Sequence, residues 1–178
     1  LANQAMAVQR ARTSWIKGRK QGLIELTGKW RPFQIAFLLL CLDGIVDPDH
    51  DDRRRADLLW FPTGGGKTEA YLGIIAFTVF LRRLRIGEAG GGVIAIMRYT
   101  LRLLTLQQFE RAAALICAME TIRRTRPREL GEETISIGMW VGSAATPNTL
   151  KTAAESLKKL RKGGELHTEN PVQLRYCP

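Results

Sequence analysis

Cysteine, histidine and acidic charge are all scarce in this 178-residue chain, and each shortage closes off a class of protein. Three cysteines, Cys41, Cys117 and Cys177, form an odd set at wide, irregular spacing. That implies no disulfide framework and suits a reducing cytoplasm. The two histidines, His50 and His167, lack ligand-like spacing, and Cys177 alone falls several ligands short of a zinc site. The apolar run Ile35 to Leu42 is far too short to span a bilayer, and no signal peptide opens the chain, so no membrane partner is expected. Internal repeats and low-complexity segments are absent.

Acidic residues number 17 against 27 lysines and arginines, a net charge of +10. A surplus of that size favours polyanion partners, because each cation that neutralises a phosphate releases a condensed counterion. The same cations also have a plain structural reading. Arg82, Arg83 and Arg85, Arg123 and Arg124, and Lys158, Lys159, Arg161 and Lys162 fall at expected helix ends, where they complement the dipole.

What is present is an ordinary globular composition, 45% hydrophobic and 25% charged, long enough for one domain with a real core. Leu1 at the start and Cys177-Pro178 at the end read as cut points in a longer chain. Residues 1–30 read as a basic helical lead-in. Pro32 suits a first helical turn, and Phe33 to Leu42 is apolar enough for a buried helix. Asp43 to Asp52 reads as a loop. Ala56 to Phe61 then predicts a short strand, Lys67 to Arg85 a long helix and Val93 to Met97 a buried strand. Leu101 to Arg124 predicts a helix, Thr134 to Val141 a third strand, and Leu150 to Arg161 a last helix. Strand alternating with helix is the pattern of a parallel sheet with crossover helices, so the expected fold class is α/β.

The segment that carries chemistry is Pro62-Thr63-Gly64-Gly65-Gly66-Lys67-Thr68, between a predicted strand and a predicted helix. Glycines let the backbone curl until successive N–H groups face phosphate oxygens, and the following helix adds its positive end. Lys67 would reach the β- and γ-phosphates, and the Thr68 hydroxyl would hold magnesium. The cofactors so implied are ATP and Mg2+. The strict Walker A pattern would put glycine at position 61, which holds Phe61.

The Pro-Thr-Gly-x-Gly-Lys-Thr form resembles the phosphate loop of superfamily 2 helicases. That resemblance implies a three-layer, RecA-like P-loop fold with a mostly parallel sheet over residues 31–178, incomplete because the acidic Walker B motif is missing. It also gives meaning to Arg31-Pro32-Phe33-Gln34, which looks like the Arg-Pro-x-Gln element upstream of the loop in such motors. There the glutamine amide reads the adenine edge, so Arg31 and Gln34 join Thr63, Gly64, Gly65, Gly66, Lys67 and Thr68 as nucleotide-binding candidates. Arg98, Thr100 and Arg102 resemble motif Ia and would bind phosphate oxygens of the nucleic acid. Gly142, in Trp140-Val141-Gly142-Ser143, resembles a glycine pair that approaches the strand being walked on. With Trp60-Phe61-Pro62-Thr63 through Thr68-Glu69-Ala70-Tyr71-Leu72-Gly73, Met97-Arg98-Tyr99-Thr100-Leu101-Arg102-Leu103-Leu104 and Ala145-Thr146-Pro147-Asn148-Thr149-Leu150, the chain most resembles the large helicase subunit of the DISARM phage-defence system. This implies a cytoplasmic bacterial DNA translocase with a small partner subunit.

Hydrolysis needs an acidic pair for magnesium and water, and an arginine finger. No Asp-Glu-x-x motif follows a suitable strand, so this stretch alone is expected to bind nucleotide weakly and hydrolyse it negligibly. Two other readings stand beside the motor. One is a P-loop ATPase of another lineage, and the other is a non-enzymatic DNA-binding or assembly module with a vestigial loop.

Overall fold

The computed structural model describes residues 1–18, 26, 28–62, 64–99, 102–142 and 144–173; the side chains of 102–104 lie outside that description. Every regular element among the described residues is helical. Helix α1 spans Ala2–Lys17, α2 Pro32–Val46, α3 Lys67–Ile86, α4 Arg102–Thr125, α5 Pro127–Leu130 and α6 Leu150–Arg161. Short 3-10 turns cover Asp51–Arg54 and Gly87–Gly90.

Helix α3 is the hub of its neighbourhood. Its buried residues Leu72, Ala76, Val79, Phe80 and Arg83 recur at helical spacing and form one inward stripe. It packs against α1, α2, α5 and the Gly87–Gly90 turn. From α1 come buried Ala5, Met6 and Ala11, from α2 Phe37 and from α5 Leu130. Fully buried Leu72 and nearly buried Phe80 each contribute about 1.5–3 kcal/mol by leaving water. Gly73 is required by a neighbour: a Cβ there would lie 2.8 Å from the Trp30 ring. Trp30 can press onto α3 only because that side chain is missing, and its Nε1 donates to Asn3 Oδ1 at 3.1 Å, tying in α1.

The expected parallel sheet is not there. Residues 56–61, 93–97 and 134–141 carry strand-like patterns, yet they run as irregular chain and pair with nothing in a ladder among the described residues. An α/β fold of RecA type is therefore incorrect for this structure, and the observed class is all-helical. The physical reason lies in where each element finds its hydrogen bonds. A helix closes its bonds within its own sequence, whereas a strand exists only through a neighbour. Those runs find no such neighbour, and their apolar side chains stay exposed: Leu58, Trp60, Val93, Ile96 and Trp140 all face solvent.

The chain divides into two compact units. One comprises Leu1–Ile96 with Arg111–Ser136, the other Met97–Glu110 with Ile137–Pro178. In the first, the buried Glu120 carboxylate accepts from Arg123 Nε and Nη2, both at 2.7 Å, from Arg124 Nε at 3.0 Å and from the Ile135 amide at 3.1 Å. In the second, the Thr149 hydroxyl caps α6 by accepting from the Thr152 amide at 3.1 Å. Ala145 O there accepts from Asn170 N and Gln173 Nε2, each at 3.0 Å. No helix among the described residues is long and apolar enough to cross a membrane.

Candidate nucleotide-phosphate site

The loop ahead of α3 is curled, as its glycines allow. Gly64 has φ +78° and Gly66 φ +96°, both in the left-handed region. Between them the Gly65 amide donates to Pro62 O at 3.1 Å, closing a tight turn. Gly66 is also the N-cap of α3 and carries no side chain to bond the first-turn amides. Four such amides lack intrahelical partners at any helix start. Here they open a 20-residue helix whose positive end is left without a side-chain cap.

Helix α2 braces this loop from the side. Gln34, 5% exposed, donates from Nε2 to Gly66 O at 2.8 Å and accepts at Oε1 from the Arg31 amide at 2.8 Å. The second contact is one half of a capping box at the start of α2, the Gln34 side chain bonding the Arg31 amide, with Pro32 in the first turn. Arg31 Nη1 donates to Gly65 O at 2.6 Å. The Phe33 ring stacks on Phe61 with centroids 3.8 Å apart and planes 15° from parallel, holding the chain just before the loop. Gln34 thus ties the loop backbone at Gly66 to the start of its own helix at Arg31. One N–H and one lone pair remain for another partner.

Lys67 opens α3 and folds back, its ammonium donating to the carbonyls of Phe61 and, at 3.1 Å, Pro62. Thr68 follows in the first turn, and its hydroxyl has no partner among the described residues. Glu69 comes next and forms an ion pair with Arg111 of α4. That pairing offsets a carboxylate otherwise close to the loop, and leaves Lys67 and Arg31 as the local positive charge.

Arg31, Gln34, Gly65, Gly66 and Lys67 are therefore brought together, as the two motifs require, across some thirty residues of sequence. Thr63 and Thr100 lie outside the described residues, as does the Arg102 side chain. Arg98, in the second unit, is exposed and makes no ion pair among the described residues. Gly142, in the same unit, accepts from the amides of Ala145 and Thr146 in a turn, and a Cβ on it would meet nothing within 4 Å. Close approach to other parts of this structure does not require glycine there.

Among the described residues, the Thr68 hydroxyl is the oxygen that the phosphate-loop reading would offer to a magnesium ion. The described residues contain no cluster of three or more His, Cys, Asp or Glu side chains able to hold a metal. The donor set fits an ion shared between one hydroxyl and phosphate oxygens, and does not fit an all-protein cage. Three contacts were not legible from motif reading: the Phe33–Phe61 stack, the Arg31–Gly65 bond and the Glu69–Arg111 pair. Arg31 carried a signal in the Arg-Pro-x-Gln element and Glu69 as an acid in a first helical turn, but neither signal named its partner.

No family model matches the chain. It is 44% identical, over 188 aligned residues, to the DISARM protein DrmA of Bacillus paralicheniformis. The match takes in 99% of this chain and 17% of that relative's length.

Proposed function

We propose that this chain is the phosphate-binding part of an ATP-dependent DNA helicase or translocase that works in DISARM-type defence against phage. The observation that carries the reading is the loop itself: left-handed Gly64 and Gly66, buttressed by Arg31 and Gln34, leading into the uncapped start of α3. Similarity to the DISARM protein DrmA supplies the defence context.

In this reading the first-turn amides of α3 bind phosphate oxygens. Lys67 exchanges its bonds to the Phe61 and Pro62 carbonyls for the charge of the β- and γ-phosphates. Magnesium, when bound at the Thr68 hydroxyl, neutralises charge on the same oxygens. Gln34 holds Gly66 O in place so that the loop meets the phosphates already curled. No side chain of this stretch is assigned to the attacking water, so the chain by itself turns over ATP negligibly.

The test is Lys67→Ala, with magnesium–ATP analogue binding followed by calorimetry and folding by circular dichroism. A charge-assisted bond to phosphate contributes about 1.5–3 kcal/mol, so affinity should drop roughly ten- to a hundredfold with the helical signal intact. Equal binding by parent and variant would reject a phosphate-holding role for Lys67.

A further inference from the structure

We propose that the solvent face of α6 is a docking track for the sugar-phosphate backbone of nucleic acid, separate from the motif Ia candidates. This rests on the reading that DNA is the polymer the protein works on. Within residues 158–162 there are four cations, Lys158, Lys159, Arg161 and Lys162, and no acid. All four are exposed. None makes an ion pair among the described residues. Glu155 lies three and four residues before Lys158 and Lys159, spacing that commonly pairs on a helix, and still joins neither.

Helix dipole alone explains a cation or two in the last turn. It does not explain apolar carbon set among them. Ala154, Leu157, Lys158, Arg161 and Lys162 line an open, shallow depression of about 440 Å³, two apolar residues beside three cations. Lys158, Arg161 and Lys162 recur at helical spacings of three and four, which sets neighbouring side chains about 5–6 Å apart along one face. Ser156, on the opposite side, is the buried residue of the helix. The cationic face is therefore the one presented to solvent.

A row of cations without ion pairs among the described residues, beside exposed apolar carbon, matches a chain of phosphates with sugars between them. An anionic bilayer would need a broad apolar stripe with large side chains to sink between lipids. Here the apolar lining is one alanine and one half-exposed leucine, so nucleic acid is the better fit.

The experiment compares the chain with its K158Q/K159Q/R161Q/K162Q variant. Fluorescence anisotropy with labelled single- and double-stranded oligonucleotides is read across a salt series, and circular dichroism checks that α6 persists. Each lost phosphate contact should flatten the log–log salt dependence by about 0.7 for single strands and 0.9 for duplex. The expected result is a slope reduced by roughly 3 for single strands and roughly 3.5 for duplex, and at least tenfold weaker binding at moderate salt, with ATP-analogue affinity unchanged. Parent-like DNA affinity and slope in the variant overturn the α6 assignment while leaving the motor reading intact. A parent that binds no oligonucleotide overturns both. Capture by phosphatidylserine vesicles, lost in the variant, with no oligonucleotide binding assigns the face to membranes instead. Should the fourfold variant unfold, the pair K158Q/R161Q serves, with about half the change in slope as its expected outcome.

Discussion

Replacing Glu120 by Gln removes one charge from the best-connected carboxylate in the first unit while keeping its size. Four donors converge on that group: two from Arg123, one from Arg124 and the Ile135 amide. The Arg123 bonds hold its carboxyl down from the usual value near 4.5 to about 2, with the Ile135 amide and Arg124 assisting against the cost of burial. Arg123 is itself 7% exposed, and its remaining Nη1 donates to Gly131 O at 2.8 Å. A neutral amide can satisfy only part of that guanidinium and leaves a buried charge without its counter-ion. Breaking a buried pair in this way costs about 3–5 kcal/mol, against a total stability of roughly 5–15 kcal/mol.

The pH dependence gives an independent check with a definite sign. The folded carboxyl sits below its unfolded value, so its contribution is fully present above pH 4.5 and fades as pH falls towards 2. Two and a half units correspond to about 3 kcal/mol near neutrality, of which about 2 kcal/mol is gone by pH 3. Other carboxylates titrate in the same range, so the informative quantity is the difference between parent and Glu120→Gln. Urea unfolding at pH 7 and at pH 3, followed by circular dichroism, should show that gap shrinking, because at pH 3 the unfolded parent takes up a proton that the folded carboxylate still resists. A gap that stays constant between the two pH values, or a variant as stable as the parent at pH 7, refutes the network as a source of stability.

Two further variants probe the loop. Gly66→Ala puts a Cβ 2.8 Å from Gln34 Nε2 and forces a non-glycine residue to φ +96°, a combination expected to cost about 1–3 kcal/mol and to weaken ATP-analogue binding by at least tenfold in calorimetry. Gln34→Ala removes both the Gly66 and the Arg31 contacts, so nucleotide affinity should fall about tenfold while the melting temperature moves by only a few degrees; unaltered affinity would show that the loop holds its shape unaided.

The helices were readable because their information is local. Leu150 to Arg161 is reproduced residue for residue, and Lys67 to Arg85 extends by one residue to Ile86. The α2 helix runs past the expected Leu42 to Val46, across Gly44, whose carbonyl accepts from Arg53 Nη1 at 2.7 Å. A glycine inside a helix costs only about 1 kcal/mol, so it was a weaker stop than it looked. The three predicted strands fail for the opposite reason. Alternating or continuous apolar residues specify which side chains want burial, but the ladder must come from elsewhere in the chain. Val93 and Ile96 satisfy the pattern and remain exposed.

The site follows the same division. That Lys67 and Gln34 belong to one arrangement was legible from two motifs, since each has a recognisable sequence. How they meet was not. Motif reading aims the Gln34 amide at a base, whereas the structure spends two of its bonding positions on the protein backbone, at Arg31 and Gly66. This couples the start of α2 to the start of α3. Arg31 holds Gly65, Gln34 holds Gly66 and Phe33 holds Phe61, so three of the first four residues from Arg31 grip both limbs of one loop. A ligand that moved the loop would have to shift the entry of α2 with it. Conversely, anything pressing on α2 would alter the spacing of the amides offered to phosphate. The loop is therefore best regarded as a joint between two helices, and its affinity for an anion as a property of both.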